Sequence, residues 1–504
     1  MRRRNARFLA AGWPDAKAAL AILIAFGGVW LCLLSYTSLT PPADNIEQLT
    51  WVASLEWGYY KHPPLPTWLV WLPVRLFGLN AWTTYLAGSV LTLGSILTLW
   101  ALLVQLRSRA YAGLACAAVL CITYYNGRLY YYNHNVVLML LYAWSATCCW
   151  NAMRTGRLGW WVALGVLLGL GALTKYQVAI TALCVGVYWL WDRGWRDARQ
   201  RTGLLMALLF ALVVFLPHVA WLRTHDFAPI DYALASSLKG GQSAFDEWQT
   251  AITWVSDQLF NRALPAWVLV AVGLGSMRNQ RNIQSSSAPV ADSSRAFLLV
   301  WGLFPLAFIS ALGVTFGVQL QSHWGTPFLL FAIPAGMELM SPSARWSQLA
   351  ATPVLIALVA IQALLLLVNF ETSPRGASVM RDTHWRAFDS SRLAAALLIP
   401  VHQATSGQPV CVISGAPELS GALALKLPEH PLVLIDGRLD RSPWVDLRKL
   451  GDCPVLVVEE PVFSAPPKVS PFVPAISWCI RGLASLRANS APGKCGPDAI
   501  LGPL

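Results

Sequence analysis

The chain has 504 residues, of which 56% are hydrophobic and only 12% carry a charge. Soluble globular domains typically contain about 25% charged residues, so this composition excludes a soluble protein and indicates a polytopic membrane protein. The formal net charge of +12 would indicate a nucleic-acid partner only if the basic residues formed a patch, and their distribution between loops excludes that class.

Apolar segments close to the ~20 residues that cross a bilayer recur through the first 370 residues. Their length and apolar content predict about eleven transmembrane helices, at residues 18–38, 82–106, 110–126, 129–150, 158–174, 177–191, 203–222, 263–276, 297–317, 323–340 and 349–369. An odd number of spans would place the two ends of this region on opposite sides of the membrane.

Basic residues are divided unevenly between the loops on the two sides of this region. Seventeen of the 37 Lys and Arg lie in the N-terminal tail and the alternate loops on its side, whereas seven lie in the opposite loops, although those are longer. Cytoplasmic loops characteristically carry such an excess of Lys and Arg. The asymmetry predicts a cytoplasmic N-terminus and a cytoplasmic loop at 193–201. It predicts an external position for residue 239 and for everything after residue 370.

The first external loop, residues 39–81, contains two carboxylates three residues apart. A helix over residues 44–51 would place Asp44 and Glu47 on one face. Asp44 could instead serve only as a helix N-cap, because Asp is favoured there as an acceptor for backbone N–H groups. The spacing therefore predicts a helical acidic pair and leaves both roles of Asp44 open.

A lysine and a histidine follow in the same loop. Lys61 and His62 precede a double proline, which prevents helical continuation and predicts an extended turn. Carboxylates beside a cation at a membrane surface suit a site that binds an anionic headgroup and removes a proton.

The composition changes near residue 370, where short apolar runs bounded by turn residues predict strands at 409–415, 431–436 and 454–460. The segments APELSGALALKL and WVDLRKL between them read as helices, so the predicted order is β-α-β-α-β. We therefore expect two domains: a transmembrane domain over residues 1–370 and a small external α/β domain over residues 371–504.

Four of the ten cysteines lie in this predicted external domain, where an oxidising compartment favours disulfides over free thiols. Cys411 is in the first strand and Cys453 immediately precedes the third. In a strand order 2-1-3 these strands are neighbours, which can bring the two Cα atoms within the ~4.4–6.8 Å that a disulfide needs. We predict the pair Cys411–Cys453, which leaves Cys479–Cys495 as the second pair.

Three motifs of the membrane region resemble those of a known enzyme family. They are the acidic pair followed by HPPL, GLGALTKYQVA at 169–179, and SHWGTP at 322–327. Together they resemble the GT-C glycosyltransferases, and more narrowly the bacterial branch related to protein O-mannosyltransferases and lipid A aminoarabinose transferases. The resemblance implies an enzyme of the bacterial inner membrane with a polyprenyl-phosphate sugar as donor. It implies transfer on the periplasmic side to lipid A, another lipid, a glycan or a protein, and a periplasmic C-terminal domain.

The resemblance assigns roles to individual positions. Asp44 takes the place of the loop carboxylate that faces the acceptor, and Lys175 takes that of the lysine in a Leu-Thr-Lys-Gly motif, here followed by Tyr. His62 matches the residue before the double proline, and His323 matches the histidine of a late His-Trp motif. His225 matches a histidine of the long external loop that joins a metal site in some relatives.

The chain departs from this pattern at two places. The aminoarabinose transferases carry Glu-Lys before their double proline, where this chain has Lys61-His62. Many relatives also carry an Asp after the third span, where this chain reads YNHNVVL at 132–138.

The chemistry of transfer explains why these residue types matter. Displacement of a polyprenyl phosphate from an anomeric carbon builds negative charge that a lysine stabilises, and a carboxylate accepts the proton of the acceptor. We predict an inverting glycosyltransferase, inversion being an implication of the resemblance. Its predicted site residues are Asp44 as the base with Glu47 as its support, Lys61, Lys175 and Arg128 for the donor phosphate, His62, Tyr60, Tyr176 and His323 for the substrate, and His225 with His323 for a divalent metal, if one is bound.

Alternatives remain for the residues and for the whole chain. Lys175 could be an interfacial lysine that snorkels, and the histidines could make ordinary hydrogen bonds. A transporter or flippase of a lipid-linked sugar would contain internal repeats and ionisable residues at the membrane midplane. The sequence shows no repeat, and its polar residues gather at one face. A non-catalytic scaffold would leave the grouping of acidic and basic residues in the first loop unexplained.

Overall fold

The computed structural model describes residues 12–237, 244–278, 293–340, 349–377, 385–459, 471–474, 476–482 and 500–501. Within these residues the first two thirds of the chain is helical, and six helices are long and apolar enough to cross a membrane. Two further helices that meet at a bend of 59° would make a seventh span. The prediction of a polytopic helical membrane protein is confirmed.

The helices of the described membrane region follow one another with short connections. In chain order they are α1 (Ala16–Thr37), α2 (Ala43–Trp51), α3 (Leu65–Phe77), α4 (Ala81–Leu106), α5 (Arg109–Val119), α6 (His134–Thr155), α7 (Leu158–Ala172), α8 (Val178–Trp191), α9 (Ala198–Thr224), α10 (Ala228–Ser237), α11 (Ala244–Ser256), α12 (Leu264–Arg278), α13 (Ser293–Phe316), α14 (Leu329–Met340) and α15 (Ala351–Glu371). The six long spans are α1, α4, α6, α9, α13 and α15, and the bent pair is α11 and α12.

Each of the eleven predicted spans overlaps one of these helices. Four of the matching helices, α5, α7, α8 and α14, have only 10–17 residues, and α12, the second half of the bent pair, has 15; these lengths are short for the ~20 residues that a straight span needs. The count of eleven transmembrane helices therefore stays a prediction.

Two predicted spans begin later than expected. The span predicted at 129–150 begins only at His134, because the Asn133 side chain accepts hydrogen bonds from the backbone N–H groups of Asn135 and Val136 and so caps α6. The span predicted at 323–340 begins with a 3-10 turn at Ser322–Gly325, and α14 starts only at Leu329. In both cases polar residues precede the helix instead of continuing the span.

Helices α7 and α9 pack with their backbones in contact. A Cβ atom added at Gly165 would lie 2.3 Å from the carbonyl oxygen of Ala207, and one at Gly169 would lie 2.9 Å from that of Ala211. Small residues permit such close approach between membrane helices, where dispersion contacts replace the hydrophobic effect as the main attraction. This packing fixes the end of α7, from which the turn containing Lys175 emerges.

The C-terminal part contains a five-stranded sheet of order β2-β1-β3-β4-β5. Strand β1 is parallel to β2 and β3, and β4 is antiparallel to β3 and β5. The strands are β1 (Val412–Gly415), β2 (Leu432–Ile435), β3 (Pro454–Glu459), β4 (Ile476–Gly482) and β5 (Ile500–Leu501), and the accompanying helices are α16 (Ser390–Ala404) and α17 (Pro417–Ala424). The three predicted strands are present, and the strand order assumed for them is confirmed.

The helix predicted at WVDLRKL is wrong. Between β2 and β3 the chain forms a 3-10 turn at Leu439–Arg441 and then non-helical turns. The Asp446 carboxylate accepts a hydrogen bond from the backbone N–H of Arg448 at 3.0 Å. Such local side-chain bonds give the backbone an alternative to a helix. The Trp444 indole N–H donates to the Val433 carbonyl at 2.7 Å and holds the segment against the sheet.

The predicted disulfide between Cys411 and Cys453 is confirmed, with a Cα–Cα distance of 6.1 Å. The bond joins the residues immediately before β1 and β3, which are adjacent in the sheet as the assumed strand order requires. Cys479 is also disulfide-bonded. Cys495 lies outside the described residues, so the pair Cys479–Cys495 stays a prediction.

The α/β part packs directly on α2. Ile46, Trp51 and Tyr59, from the segment between α1 and α3, belong to one hydrophobic cluster with the sheet and α17. At the contact, a Cβ atom added at Gly421 would lie 2.3 Å from Cγ2 of Ile46. The α/β part thus packs against and stabilises the helix that carries the acidic pair.

Candidate active site

Helix α2 is present as predicted and carries Asp44 in its first turn. The residue at the N-cap position is Pro42, and no side-chain cap bond is formed there. The Asp44 carboxylate instead accepts a hydrogen bond from the side-chain amide of Asn133 at 2.8 Å. The interpretation of Asp44 as a helix N-cap is therefore wrong, and its carboxylate is held by a neighbouring turn.

Buried amides on the other face of α2 fix its orientation. The Asn45 side-chain amide donates to Thr84 Oγ1 and to the Tyr130 carbonyl, both at 2.9 Å. Gln48 Oε1 accepts a hydrogen bond from Thr67 Oγ1 at 2.8 Å. Because these side chains are buried, the bonds are costly to break, and they keep the two carboxylates directed away from the α3–α4 side.

A cavity of about 620 Å³ lies beside α2. Its lining combines a polar end with an apolar wall contributed by α8 and α13. The polar residues include Asp44, Lys61, His62, Asn133, His134, Asn135, Lys175, Tyr176, Gln177 and His323, and the apolar ones include Ile180, Phe308, Ile309 and Leu312. Six of the ten predicted site residues thus meet at one cavity whose shape and chemistry suit an amphipathic ligand.

Glu47 and Lys61 form a largely buried ion pair, with 2.7 Å between Oε2 and Nζ and side-chain exposures of 9% and 19%. Burial raises the pKa of Glu47 to about 7, although Lys61 partly opposes that rise. Burial also lowers the pKa of Lys61, but the Glu47 carboxylate outweighs it and leaves the pKa above its ordinary value. The ammonium of Lys61 is therefore charged and already occupied by a carboxylate.

Lys175 lies in the turn between α7 and α8, and its Nζ donates to Asn135 Oδ1 at 2.7 Å. Burial lowers the pKa of Lys175 to about 8, while the nearby Asp44 carboxylate acts in the opposite direction. Its partner is a neutral amide, so at neutral pH the ammonium carries a charge that no direct ion pair neutralises among the described residues.

The segment Asn133-His134-Asn135 organises the polar end of the cavity. Asn133 holds the Asp44 carboxylate, and Asn135 holds the Lys175 ammonium. In the sequence this segment stands out only as the place where many relatives carry an Asp that is missing here. The available signal was the concentration of three polar residues immediately before an apolar span, which favours a site over a membrane-facing turn.

Arg128 does not line this cavity but a second one, of about 460 Å³, on the other side of Asp44. Its guanidinium lies over the rings of Tyr124 and Tyr131, at 5.5 and 5.4 Å from their centroids. Two more arginines, Arg262 and Arg386, also line this second cavity. The structure thus separates Arg128 from the two lysines with which it was grouped, and Asp44 borders both cavities.

Three predicted residues lie away from the cavities. His225 is exposed, stacks on Trp221 at 4.1 Å, and has its Nδ1 atom 2.9 Å from the Trp221 carbonyl oxygen. Tyr60 is covered by the α/β part, with the Arg441 guanidinium 5.2 Å from its ring centroid. Glu47 does not itself line the cavity, but it pairs with Lys61, which does. Neither His225 nor His323 belongs to a group of three potential metal ligands within the described ranges.

One such group does exist beside the cavity. Glu47, His62 and His134 each offer a ligand atom, and these atoms all lie within 4.8 Å of one another. Burial lowers the pKa of His62 well below its ordinary value, assisted by the positive charge of Lys175 and Lys61. The His62 imidazole is therefore neutral at neutral pH.

Comparison with known proteins places this architecture in a class. A family model described as dolichyl-phosphate-mannose-protein mannosyltransferase matches residues 61–221. The fold also matches ArnT from Cupriavidus metallidurans, in a crystal structure bound to undecaprenyl phosphate. The TM-score is 0.58 at 17% identity, covering 88% of this chain and 93% of that one. The fold is that of a GT-C-type multi-pass membrane glycosyltransferase.

Sequence relatives narrow the resemblance. The undecaprenyl phosphate-alpha-4-amino-4-deoxy-L-arabinose arabinosyl transferase of Pseudomonas aeruginosa is 29% identical over 317 residues, which is 57% of this chain and 54% of that protein. The lipid A galacturonosyltransferase RgtD of Rhizobium johnstonii is 22% identical over 211 residues, or 42% of this chain and 44% of that protein. The chain therefore spans about half the length of these relatives. The predicted resemblance to the bacterial GT-C branch of the aminoarabinose transferases is confirmed.

Proposed function

We propose that this chain is a glycosyltransferase of the bacterial inner membrane that moves a sugar from a polyprenyl-phosphate donor to an acceptor on the periplasmic side. The observation that carries the proposal is the position of Asp44. Asp44 lines both an amphipathic cavity and a second cavity that three arginines also line. A base between two ligand cavities is what a transfer reaction requires.

The larger cavity suits the donor. Its wall from α8 and α13 is apolar and would accept the isoprenoid chain, while Lys175 at the polar end would hold the phosphate. An ammonium in a poorly hydrated site interacts with an anion far more strongly than one in water. Relatives of this chain are named for undecaprenyl-phosphate sugars, which have this combination of apolar chain, phosphate and sugar.

The second cavity suits an anionic acceptor, because Arg128, Arg262 and Arg386 line it and guanidinium groups bind phosphate and carboxylate in bidentate fashion. An acceptor hydroxyl beside Asp44 would lose its proton to the carboxylate as its oxygen attacks the anomeric carbon. The bond between that carbon and the phosphate oxygen breaks at the same time, and the lipid phosphate leaves with the electron pair, stabilised by Lys175. Attack from the side opposite the leaving group inverts the anomeric centre.

The remaining parts support this reaction. In our proposal residues 1–370 form the catalytic domain and residues 371–504 a periplasmic α/β domain. That domain holds α2 in place through the hydrophobic cluster around Ile46 and Trp51. His62, Tyr176 and His323 would contact the sugar or its phosphate, since they line the donor cavity. Tyr60 would act from outside the cavity, by supporting the loop.

Replacement of Asp44 by Asn tests the proposal. The substitution keeps a hydrogen-bonding side chain but removes the base, and we expect about a 10²–10⁴-fold loss of transfer with normal membrane insertion. The matched control is Glu56→Gln, a carboxylate of the same loop that lines neither cavity and accepts a hydrogen bond from Ser54.

The assay is mass spectrometry of envelope lipids and glycans from a deletion strain complemented with each variant. A new glycosidic product should appear with the wild-type chain and with Glu56→Gln and be lost with Asp44→Asn. Full complementation by Asp44→Asn would overturn the proposal. Movement of a lipid-linked sugar across the bilayer without any new glycosidic bond would indicate a flippase instead.

A further inference from the structure

Three potential metal ligands converge from separate elements at the edge of the donor cavity. Glu47 comes from α2, His62 from the turn before α3, and His134 from the first residue of α6. Their ligand atoms all lie within 4.8 Å of one another. The hydrogen bonds that orient α2 and cap α6 involve other side chains. They therefore do not explain why these three side chains lie together.

His134 has the features of a prepared ligand. Its side chain is buried, the residue being 4% exposed, and Nε2 has no hydrogen-bond partner among the described residues. The backbone carbonyl of Pro63 hydrogen-bonds the ring, which leaves Nδ1 as the nitrogen that faces it. An imidazole that donates from Nδ1 to a carbonyl presents a lone pair at Nε2, the usual arrangement of a metal-binding histidine.

His62 lies against His134, with 4.0 Å between ring centroids and an angle of 43° between the ring planes. Two imidazoles and one carboxylate form the ligand set of catalytic zinc sites, in which a fourth position stays open for water or substrate. Because both histidines line the donor cavity, the open position would face that cavity.

Two positive charges oppose a cation at this place. Lys61 binds Glu47 Oε2 at 2.7 Å, and Lys175 lies at the same end of the cavity. Lys61 has a second favourable environment, since its Nζ atom is 5.5 Å from the ring centroid of Tyr232. An incoming cation would therefore compete with Lys61 for the Glu47 carboxylate, and the ammonium would retain a cation–π contact.

We propose that Glu47, His62 and His134 form a binding site for a single divalent transition-metal ion, with Zn²⁺ as the ion whose preferred ligands match. Such an ion would add positive charge beside the departing phosphate. Binding of the ion does not depend on whether the chain transfers a sugar, so the site can be tested without any turnover assay. His225 and His323 contribute no ligand in this proposal.

The experiment uses the full chain, purified in detergent without a polyhistidine tag and stripped with a chelator. Zn²⁺ affinity is measured by competition with a chromophoric chelator, metal content by elemental analysis, and coordination by the absorption spectrum of the Co²⁺ form. We expect one ion per chain and at least about a tenfold weaker affinity in His62→Gln and in His134→Gln. The exposed His225→Gln is the matched control and should bind as the wild type does. Lys61→Met should bind more tightly, because it removes the competing ammonium.

Variants are compared only if they are monodisperse and have wild-type melting temperatures. If His134→Gln does not fold, His62→Gln and Glu47→Gln decide the question. Wild-type affinity in His62→Gln, or the absence of an ion at micromolar free Zn²⁺, would overturn the proposal. Loss of binding in His225→Gln or His323→Gln with retention in His62→Gln would place the metal elsewhere. Loss of transfer in Asp44→Asn with normal Zn²⁺ binding would separate the metal site from the catalytic base.

Discussion

The substitution Lys175→Met tests the role of the cation at the polar end of the donor cavity. Met keeps a flexible side chain of similar length but removes the ammonium that donates to Asn135 at 2.7 Å. If this ammonium holds the donor phosphate, the variant loses a charge-assisted hydrogen bond worth about 1.5–3 kcal/mol. That loss corresponds to a decrease of roughly 10- to 150-fold in kcat/KM for the donor.

The lowered pKa of Lys175 adds a pH dependence to this prediction. Burial brings that pKa to about 8, so the amine is charged below pH 8 and neutral above it. Because kcat/KM reports the pKa values of the free enzyme, wild-type kcat/KM for the donor should fall as the pH rises through about 8. The Lys175→Met variant has no such group. The ratio of wild-type kcat/KM to variant kcat/KM should therefore be largest below pH 8 and decrease toward 1 above it.

The assay is steady-state transfer in proteoliposomes, with the donor concentration varied across the pH range. Arg223→Met is the matched control, because Arg223 is an exposed cation at the end of α9 that lines neither cavity. Its kcat/KM should equal that of the wild type. Unchanged donor dependence in Lys175→Met, or an inflection near pH 8 that persists in it, would show that Lys175 is an interfacial anchor and refute the assignment.

Two further predictions concern the α/β contact and the topology. Gly421→Val should lower both the melting temperature and transfer, because its new side chain would collide with Ile46 and overpacking typically costs about 1–3 kcal/mol. Gly451→Ala, with no atom within 4 Å of the added Cβ, should change neither. For topology, an impermeant thiol reagent applied to intact spheroplasts should label a cysteine at position 239, which lies outside the described residues, and not one at 196. The reverse pattern would invert the proposed orientation.

The helical spans and the sheet were predictable because their signals are local. A run of apolar residues needs no partner to be recognised as a span, and short β-rich runs between turn residues predict strands in the same way. The adjacency of β1 and β3 was predictable only with an assumed strand order, which the Cys411–Cys453 bond confirms. The start of α6 is predicted too early, at residue 129, because the residues just before Asn133 are also apolar. Only the N-cap at Asn133 determines that the helix begins at His134.

The candidate site was predictable where motifs are contiguous and not where the fold brings distant residues together. Asp44 and Lys175 were identified from their motifs, and both line the same cavity. The sequence groups Arg128 with the lysines because all three lie in loops that are predicted to be external. These loops line two cavities, and no local signal distinguishes which one a residue lines. The amides of Asn133 and Asn135 have no motif of their own, and their roles follow only from contacts with residues 89 and 40 positions away, respectively.

The two lysines that line the donor cavity of our proposal have different partners, and this difference indicates which of them is better suited to the donor phosphate. Lys61 is bound to Glu47 at 2.7 Å, and phosphate would have to compete with a carboxylate for its ammonium. Lys175 is bound to the neutral amide of Asn135, which phosphate displaces at a much smaller electrostatic cost because a charged acceptor binds an ammonium more strongly than a neutral one. In this chain the carboxylate that pairs with Lys61 comes from α2, so the ion pair spans the loop, and Lys175 remains the better candidate for the phosphate.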